Sequence, residues 1–308
     1  INTNRQALRL YSTNIGNKGA IILGEILRAK ISLRDLTLHS TNIEDEGVIA
    51  LCEALKINTT LHSLNVECKI GAEGAQALGE ALKVNTTLRE LDFYSGSRTG
   101  DYVEALGAAL KVNTTLIRLH LGYGIGDKGA RALGEALKIN TILLDLNLDS
   151  NRIKVEGAKA FGEALKVNST LLKLDLSYND IGDEGAMAIG EALKVNTTLE
   201  ELGLARNAVK DKGAKAIGEA LKVNTALREL CLSVNEIGIE ETKVLSEGLK
   251  SNTTLRDLDL ESNNTNEEGT RALSEVLRIN TTLNHLNLGS NKIGDESAKA
   301  LSEALKVN

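Results

Sequence analysis

Aliphatic residues recur along the chain in two alternating spacings, and the segment 168–195 contains both. Leu171, Leu174 and Leu176 follow the spacing LxxLxL. Leu174 and Leu176 flank the polar Asp175, an alternation that is typical of a strand with one buried face. We therefore expect a short strand of about five residues at this point of the chain.

The second spacing occupies the stretch GDEGAMAIGEALK that follows this strand. Ala186, Ile189 and Leu193 recur three and four residues apart, which predicts an amphipathic helix of about twelve residues. Asp183 suits the positive N-terminus of such a helix. Neither element can bury its apolar face alone, so neighbouring units of the same kind must stack.

The whole chain is built from such units. The phrase KVNTTL occurs at Lys83–Leu88, Lys111–Leu116 and Lys194–Leu199, and near-copies run through the rest of the 308 residues. No linker or shift of composition interrupts the series, so we predict a single domain, residues 1–308, of eleven repeats. The repeats are 28 residues long, except the third and fifth with 27, and they begin at Asn2, Lys30, Asn58, Asn85, Asn113, Asn140, Asn168, Asn196, Asn224, Asn252 and Asn280.

The LxxLxLxxN phrase, together with a 28-residue unit that contains a long helix, resembles the ribonuclease-inhibitor-like subfamily of leucine-rich repeats. The same repeat class occurs in NOD-like receptors and in Ran GTPase-activating proteins. The resemblance implies an α/β fold, a right-handed horseshoe-shaped solenoid with parallel strands on the concave face and helices on the convex face. KVNTTL is then the helix exit and the turn into the next strand, where Asn and Thr bond local backbone groups.

A second asparagine follows the strand in the later repeats, where it can bond the backbone of adjacent turns and form a ladder. The first five repeats have Thr13, Thr41, Lys69, Gly96 and Gly124 at this position. Both 27-residue units also fall in this half, so the N-terminal repeats depart from the regular pattern. The asparagines of the ladder are Asn151, Asn179, Asn207, Asn235, Asn263 and Asn291.

Large polar side chains concentrate in the same N-terminal half. Strand alternation places four of them on the concave face, Tyr123 at its rim and Glu67 beside them. Tyrosine is enriched at interface anchors, so we predict a partner-binding patch, although exposed strand positions also tolerate many residues by chance. The four concave-face residues are Tyr11, His39, Tyr94 and His120.

The later repeats predict a different, acidic surface. Stacked strands about 4.8 Å apart would bring its carboxylates together and make the potential negative. A basic segment of a partner would complement this surface, and a well-solvated charged face is the alternative. The residues of this acidic concave face are Asp145, Asp149, Asp175, Glu201, Glu229, Asp257, Asp259 and Glu261.

Charge and cysteine content narrow the class of protein. The net charge of −6 argues against general binding to nucleic acids or anionic membranes, since both need a basic surface. No apolar run of about 18 residues, the length of a membrane span, occurs. Cys52, Cys68 and Cys231 have neither CxxC nor zinc spacing, as in a reducing compartment. We expect a cytoplasmic protein.

Two motif matches have an architectural explanation. Seven turn asparagines match the N-x-S/T glycosylation acceptor, but the repeat itself explains their strict period. A calcium-loop-like pattern has Ser150 where such a loop needs Gly, and its leucines belong to the core. We therefore expect no metal and no cofactor. The residues of that pattern are Asp145, Asn147, Asp149, Asn151 and Glu156.

Function is predicted to be non-catalytic recognition of a protein partner through the concave face. His39 and His120 have no matching nucleophile, and no phosphate loop occurs. Two alternatives come from the resemblance: a GTPase-activating protein of the Ran-specific type, or the ligand-sensing repeat region of a NOD-like receptor. The chain begins at INTN and stops at LKVN without a capping unit, so we expect a segment of a longer protein that takes part in a larger assembly.

Overall fold

The structure is a computed structural model that describes residues 6–11, 14–29, 32–96 and 102–307. Backbone contacts divide the chain into two compact units, Ile1–Arg152 (unit 1) and Ile153–Asn308 (unit 2). Each unit is described by itself. The prediction of one domain over residues 1–308 stays a prediction, and Thr13 of the predicted irregular positions lies outside the described residues.

In unit 1, strands and helices alternate along the chain. The strands form a parallel sheet in which each pairs with the strand of the next repeat, from β1 through β6. The elements are β1 (Ala7–Tyr11), α1 (Gly16–Arg28), β2 (Asp35–Glu44), α2 (Asp45–Leu55), β3 (Ser63–Lys69), α3 (Ala72–Val84), β4 (Glu90–Ser95), α4 (Tyr102–Leu110), β5 (Arg118–Gly122), α5 (Gly126–Leu137) and β6 (Asp145–Asn147).

Unit 2 repeats this arrangement with more regular spacing, and its strands pair in parallel in the order β7 to β11. The elements are α6 (Val155–Leu165), β7 (Lys173–Asp175), α7 (Gly182–Leu193), β8 (Glu201–Gly203), α8 (Asp211–Leu221), β9 (Glu229–Cys231), α9 (Ile239–Ser251), β10 (Asp257–Asp259), α10 (Asn266–Leu277), β11 (His285–Asn287) and α11 (Asp295–Leu305).

Each unit is a leucine-rich-repeat solenoid with strands on one face and helices on the other, which confirms the predicted fold class. Paired strands lie about 4.8 Å apart, whereas packed helices need about 8–10 Å between their axes. The strand face of a unit is therefore its concave side.

The predicted core residues are buried between the two layers. Leu171, Leu174 and Leu176 of the strand segment and Ile189 and Leu193 of the following helix are at most 1% exposed. Their spacings of two on the strand and four on the helix point them toward each other. The alternation of apolar positions along the chain thus predicts the two layers correctly.

The turn asparagine of KVNTTL joins consecutive repeats. The Asn196 side-chain oxygen accepts hydrogen bonds from the backbone N–H groups of Thr198 at 3.0 Å and Leu199 at 2.8 Å. Its amide nitrogen donates to the carbonyl of Leu165, the last residue of α6, at 2.8 Å. The local bonds confirm the prediction, and the bond to α6 is new. The side chain is 5% exposed, so the glycosylation motif coincides with a buried joint.

Helix starts also depend on the neighbouring repeat. The Asp183 carboxylate accepts hydrogen bonds from the backbone N–H groups of Lys210 at 2.8 Å and Gly213 at 2.9 Å, at the N-terminus of α8. Asp45 does the same for Gly71 at the start of α3. An acidic residue at the start of one helix therefore also caps the next helix.

The second asparagine ladder coincides with short strands. Asn207 donates to the carbonyl of Leu176 in the previous repeat at 2.9 Å and to that of Ala205 at 3.1 Å. Strands β6 to β11, each followed by such an asparagine, contain three residues each. Strands β1 to β5 lack it and contain five to ten. Without the asparagine to start the turn, strand pairing continues.

Replacing Asn196 by Ala is expected to destabilise the fold by about 3 kcal/mol, because it leaves the buried N–H of Leu199 and the buried carbonyl of Leu165 unsatisfied and also removes the bond from the Thr198 N–H. Chemical denaturation measured by circular dichroism gives the change in the free energy of unfolding. Thr197→Ala, at the exposed neighbouring position, is the matched control and should change stability by less than about 0.5 kcal/mol. Equal effects of the two substitutions would show that the asparagine is dispensable.

Candidate protein-binding face

Strand register in unit 1 places the predicted anchor residues along one line near the strand ends. Tyr11 pairs with His39 across β1 and β2, and Glu67 pairs with Tyr94 across β3 and β4. Tyr94 then pairs with Gly122 of β5. Large side chains from consecutive repeats therefore lie side by side on the strand face.

Five rings form a continuous group, which we call the aromatic cluster: Tyr11, His39, Tyr94, His120 and Tyr123. Ring centroids are 5.8 Å apart for Tyr11 and His39, and 5.5 Å for His39 and Tyr94. Tyr94 contacts His120 edge-on at 4.9 Å and Tyr123 at 6.3 Å. These separations are typical of favourable aromatic pairs. Tyr94 is the member that touches three others.

Hydrogen bonds fix the orientation of the two histidines. Tyr94 Oη lies 3.1 Å from His120 Nδ1, and His120 Nε2 lies 3.2 Å from an Asp149 carboxylate oxygen. In a neutral imidazole, Nε2–H donates to Asp149 and Nδ1 accepts from the Tyr94 hydroxyl. His39 Nε2 lies 2.5 Å from Asn65 Oδ1. The side chains of His39, Tyr94 and His120 are therefore held in place by contacts within the chain itself.

The environment of Tyr94 favours its neutral form. Burial, and after it the carboxylates of Asp92 and Asp149, raise the pKa of the Tyr94 phenol to about 12. Burial also raises the pKa of the Asp92 carboxyl. The Tyr94 hydroxyl is thus a hydrogen-bond donor at neutral pH and a poor nucleophile.

Gly122 makes room for the Tyr94 ring, and the sequence analysis did not recognise it. A Cβ on Gly122 would fall against the ring atoms of Tyr94. The same repeat position carries Ser177, Ala205 and Ser233 in unit 2. The sequence does show that Gly122 follows Tyr94 at the same position of the next repeat, and this pair could have indicated the contact.

A cavity of about 160 Å³ opens beside the cluster. Tyr94, Tyr123, Glu67 and Lys69 are among the residues that line it. The Thr41 hydroxyl is buried and has no hydrogen-bond partner among the described residues, although Thr41 lines the cavity. The other lining residues are Asn42, Ile43, Cys68 and Gly96.

Unit 2 offers an internal comparison for Tyr123. Tyr178 occupies the same repeat position and is similarly exposed, at 52% against 56% for Tyr123. Its ring contacts the Arg206 guanidinium at 5.6 Å, a cation–π distance. Tyr123 instead belongs to the aromatic cluster. Comparing substitutions of Tyr123 and Tyr178 therefore separates the effect of losing a cluster residue from that of losing any exposed tyrosine.

Two predicted acidic residues of unit 2 have an architectural role. Asp175 accepts a hydrogen bond from the backbone N–H of Ser177 at 2.9 Å, and Asp259 accepts one from Glu261 at 2.9 Å. Asn147 makes the same bond to the N–H of Asp149 at 3.0 Å. The side chain at this position stabilises the turn out of the strand.

Lysine, arginine and histidine side chains contact several other residues of the predicted acidic face. In unit 2, Glu201 contacts Lys173, and Asp257 lies 2.6 Å from His285 Nδ1. Glu229 stands between Glu201 and Asp257 in the strand register. In unit 1, Asp145 pairs with Arg118 at 3.2 Å, and Asp149 contacts His120.

Some of the residues that suggested a patch lie elsewhere. Tyr102 is buried in α4 against Phe93, with ring centroids 5.9 Å apart, and its hydroxyl has no partner among the described residues. His62 lies at the turn before β3 and contacts the Thr60 carbonyl. The concentration of Tyr and His in the N-terminal half therefore combines core, turn and surface positions.

Among the described residues, no group of three or more His, Cys, Asp or Glu could hold a metal ion. No helix in the described ranges is both long and apolar enough to cross a bilayer. Cys52, Cys68 and Cys231 are free thiols, and burial raises the pKa of the Cys52 thiol to about 12.

A match to a known protein family agrees with the repeated strand–helix units of the structure. Eight segments, together more than half of the chain, match the family model described as Leucine Rich repeat. The chain belongs to the leucine-rich repeat family. The ribonuclease-inhibitor-like subfamily stays a prediction, and no curated protein matches the chain significantly. The matched segments are residues 29–52, 58–79, 112–134, 140–162, 167–190, 195–218, 251–274 and 280–302.

Solved structures with the same repeat architecture are similar to this leucine-rich repeat protein. An internalin from Listeria monocytogenes matches with a TM-score of 0.54 and 19% identity, over 97% of this chain and 85% of the internalin. Actin-binding site 2 of leiomodin-1 matches at 0.42 and 23%, over 49% and 87%. The tropomodulin C-terminal domain of Caenorhabditis elegans matches at 0.42 and 18%, over 48% and 91%. The internalin supports the fold.

Titration of Tyr94 tests whether Gly122 holds its ring in place. The Tyr94 phenol should ionise at about pH 12, observed as the shift of its ring ζ-carbon in NMR spectra and assigned with Tyr94→Phe. Because the folded-state pKa is raised, Tyr94 adds stability below pH 10 that is lost as the pH rises through 12.

Gly122→Ala should push the ring into solvent and lower the Tyr94 pKa toward its ordinary value of 10.0. Circular dichroism should show an intact fold, since Gly122 has no left-handed backbone angle. An unchanged Tyr94 pKa in this variant would contradict the positioning role.

Proposed function

We propose that this leucine-rich repeat protein is a non-catalytic scaffold that recognises a protein partner through the strand face of unit 1. The observation that carries the proposal is the aromatic cluster, a continuous group of rings on an otherwise polar strand face. Tyr11 and Tyr123 at its two ends are 58% and 56% exposed. Tyrosine combines contact area with a directed hydroxyl, as interface anchors require.

Order within the cluster supports tight binding. The Tyr94 hydroxyl is held by His120, and His120 is held by Asp149. Side chains that are fixed beforehand lose less conformational entropy on association. In unit 2, the position of Tyr94 carries no aromatic residue, so this surface is particular to unit 1.

The acidic strand positions of unit 2 have a supporting role in the proposal. Glu229 and Asp257 stand on neighbouring strands, where their charges add, and a basic segment of the partner complements them. No arrangement of the described residues favours activation of a GTPase or nucleotide-linked sensing. Free thiols at Cys52 and Cys68 fit the reducing cytoplasm, where we place the protein.

Tyr94→Ala and Tyr123→Ala should each weaken partner binding about thirtyfold, because a truncated anchor commonly costs about 2 kcal/mol or more. The partner is first recovered on the immobilised chain, and its affinity for each purified variant is then measured by biolayer interferometry. Recovery of a bound protein does not by itself support the proposal. The proposal is tested by the difference in affinity between the variants and the unchanged chain.

Tyr178→Ala is the matched control for Tyr123→Ala, since both tyrosines are exposed at the same repeat position. It should change the affinity by less than about twofold. Equal loss in Tyr123→Ala and Tyr178→Ala, or no loss in either, would contradict the proposed binding face. Thermal unfolding of Tyr123→Ala and Tyr178→Ala should be alike.

Asp257→Asn should mainly reduce the association rate and its dependence on salt, because a steering charge acts before contact. The dissociation rate should change by less than about twofold. Glu247→Gln on helix α9, which removes an equal charge from the opposite face, is the control. A changed dissociation rate with an unchanged association rate would place Asp257 inside the contact instead.

A further inference from the structure

The cavity beside the aromatic cluster has a chemistry that selects one kind of occupant. Resting on the proposed function, we propose that this cavity receives a lysine or arginine side chain of the protein partner. The aliphatic stem of that residue would pack on Tyr94 and Tyr123, and its cationic head would meet Glu67. Three features of the site support this assignment.

Two tyrosine rings line the cavity. The rings of Tyr94 and Tyr123 are inclined by 51° with centroids 6.3 Å apart, so their faces form an open corner. The face of an aromatic ring carries negative partial charge and attracts a cation within about 6 Å. The apolar ring surface also suits the methylene stem of a long cationic side chain.

Carboxylates make the potential at this corner negative. Glu67 lines the cavity and is 44% exposed at its side chain. Asp92, Asp149 and Glu67 each raise the pKa of the Tyr94 phenol, which shows that their field reaches the ring. Arg118, the nearby cation of the same strand face, already pairs with Asp145 and Glu90. An entering cation therefore meets carboxylates whose charge is partly offset by Lys69, which lines the same cavity.

The Thr41 hydroxyl gives an independent indication of a missing polar group. Its oxygen is fully buried in the wall of the cavity and has no partner among the described residues. Buried polar atoms normally have a hydrogen-bond partner. A small rearrangement of the wall would let an ammonium or guanidinium N–H donate to this oxygen, while Glu67 disfavours an anion at the same place.

Lys69 makes it possible to distinguish a cationic from an anionic occupant of the cavity. It lines the same cavity and is exposed, so its charge opposes a cationic occupant and would favour an anionic one. Lys69→Gln should therefore strengthen binding of a cation, and Glu67→Gln should weaken it. An anionic occupant reverses both effects, and an apolar occupant responds to neither.

The experiment uses disulfide tethering in the full chain, with Gly96→Cys as the attachment point. Gly96 lines the cavity and is exposed, and a Cβ there would lie 3.3 Å from Lys69 Cγ, so the flexible Lys69 side chain must shift slightly. The probes are disulfides that present an aminohexyl, a hexyl or a carboxypentyl group, equilibrated with 2-mercaptoethanol. The labelled fraction, measured by mass spectrometry, reports their relative affinity. Tyr178→Cys, on the acidic strand face of unit 2, controls for the general attraction of cations.

At Gly96→Cys the aminohexyl probe should label about fivefold more than the hexyl probe, as expected for one cation–π contact supported by a carboxylate. At Tyr178→Cys the ratio should stay below about twofold. Adding Tyr123→Leu or Glu67→Gln should remove the preference, and adding Lys69→Gln should increase it. Equal labelling by the three probes, or preference for the carboxypentyl probe, would overturn the proposal.

The two proposals can fail separately. If tethering shows no preference while Tyr94→Ala still weakens partner binding, the binding face stands and the cationic occupant is wrong. If tethering shows the preference while the tyrosine variants bind the partner normally, the cavity accepts a cation but the proposed function is wrong.

Discussion

The need to satisfy buried backbone groups at every turn is the constraint on which this structure depends. A helix that ends between two stacked repeats exposes its last carbonyls to the core, where no water can reach them. The Asn196 side chain satisfies such a carbonyl at the end of α6 and two N–H groups in its own turn. Because an asparagine begins ten of the eleven repeats, phrases like KVNTTL recur along the chain.

The candidate site arises where a second constraint of the same kind is relaxed. An asparagine such as Asn207 closes the turn after each three-residue strand, and no aromatic residue stands at the position of Tyr94 there. In the repeats that lack it, pairing continues and the strand face widens. Tyr94 then has space to lie over Gly122. A lost structural residue and an acquired aromatic surface are therefore two aspects of one local change.

Periodicity predicted the layers, the parallel order and the positions of Tyr94 and His120, because a strand has only two faces and the repeat sets its register. It could not predict contacts between repeats. The capping of α8 by Asp183 and the clearance at Gly122 depend on distances across the stack. The same holds for Asp175, which was predicted as surface charge and holds a backbone N–H of its own turn. A sequence pattern shows which residue types recur, whereas the roles of Asp183, Gly122 and Asp175 depend on which atoms lie next to them in the folded chain.

Photo-crosslinking tests most directly whether the strand face of unit 1 is the surface that meets a partner. Benzoylphenylalanine would replace Tyr11 at the end of the aromatic cluster, Tyr178 on the strand face of unit 2, or Gln76 on helix α3. The account predicts that the partner crosslinks strongly from position 11 and only at background level from the other two. Crosslinking from Gln76 with none from position 11 would contradict it, because the partner would then lie on the helices.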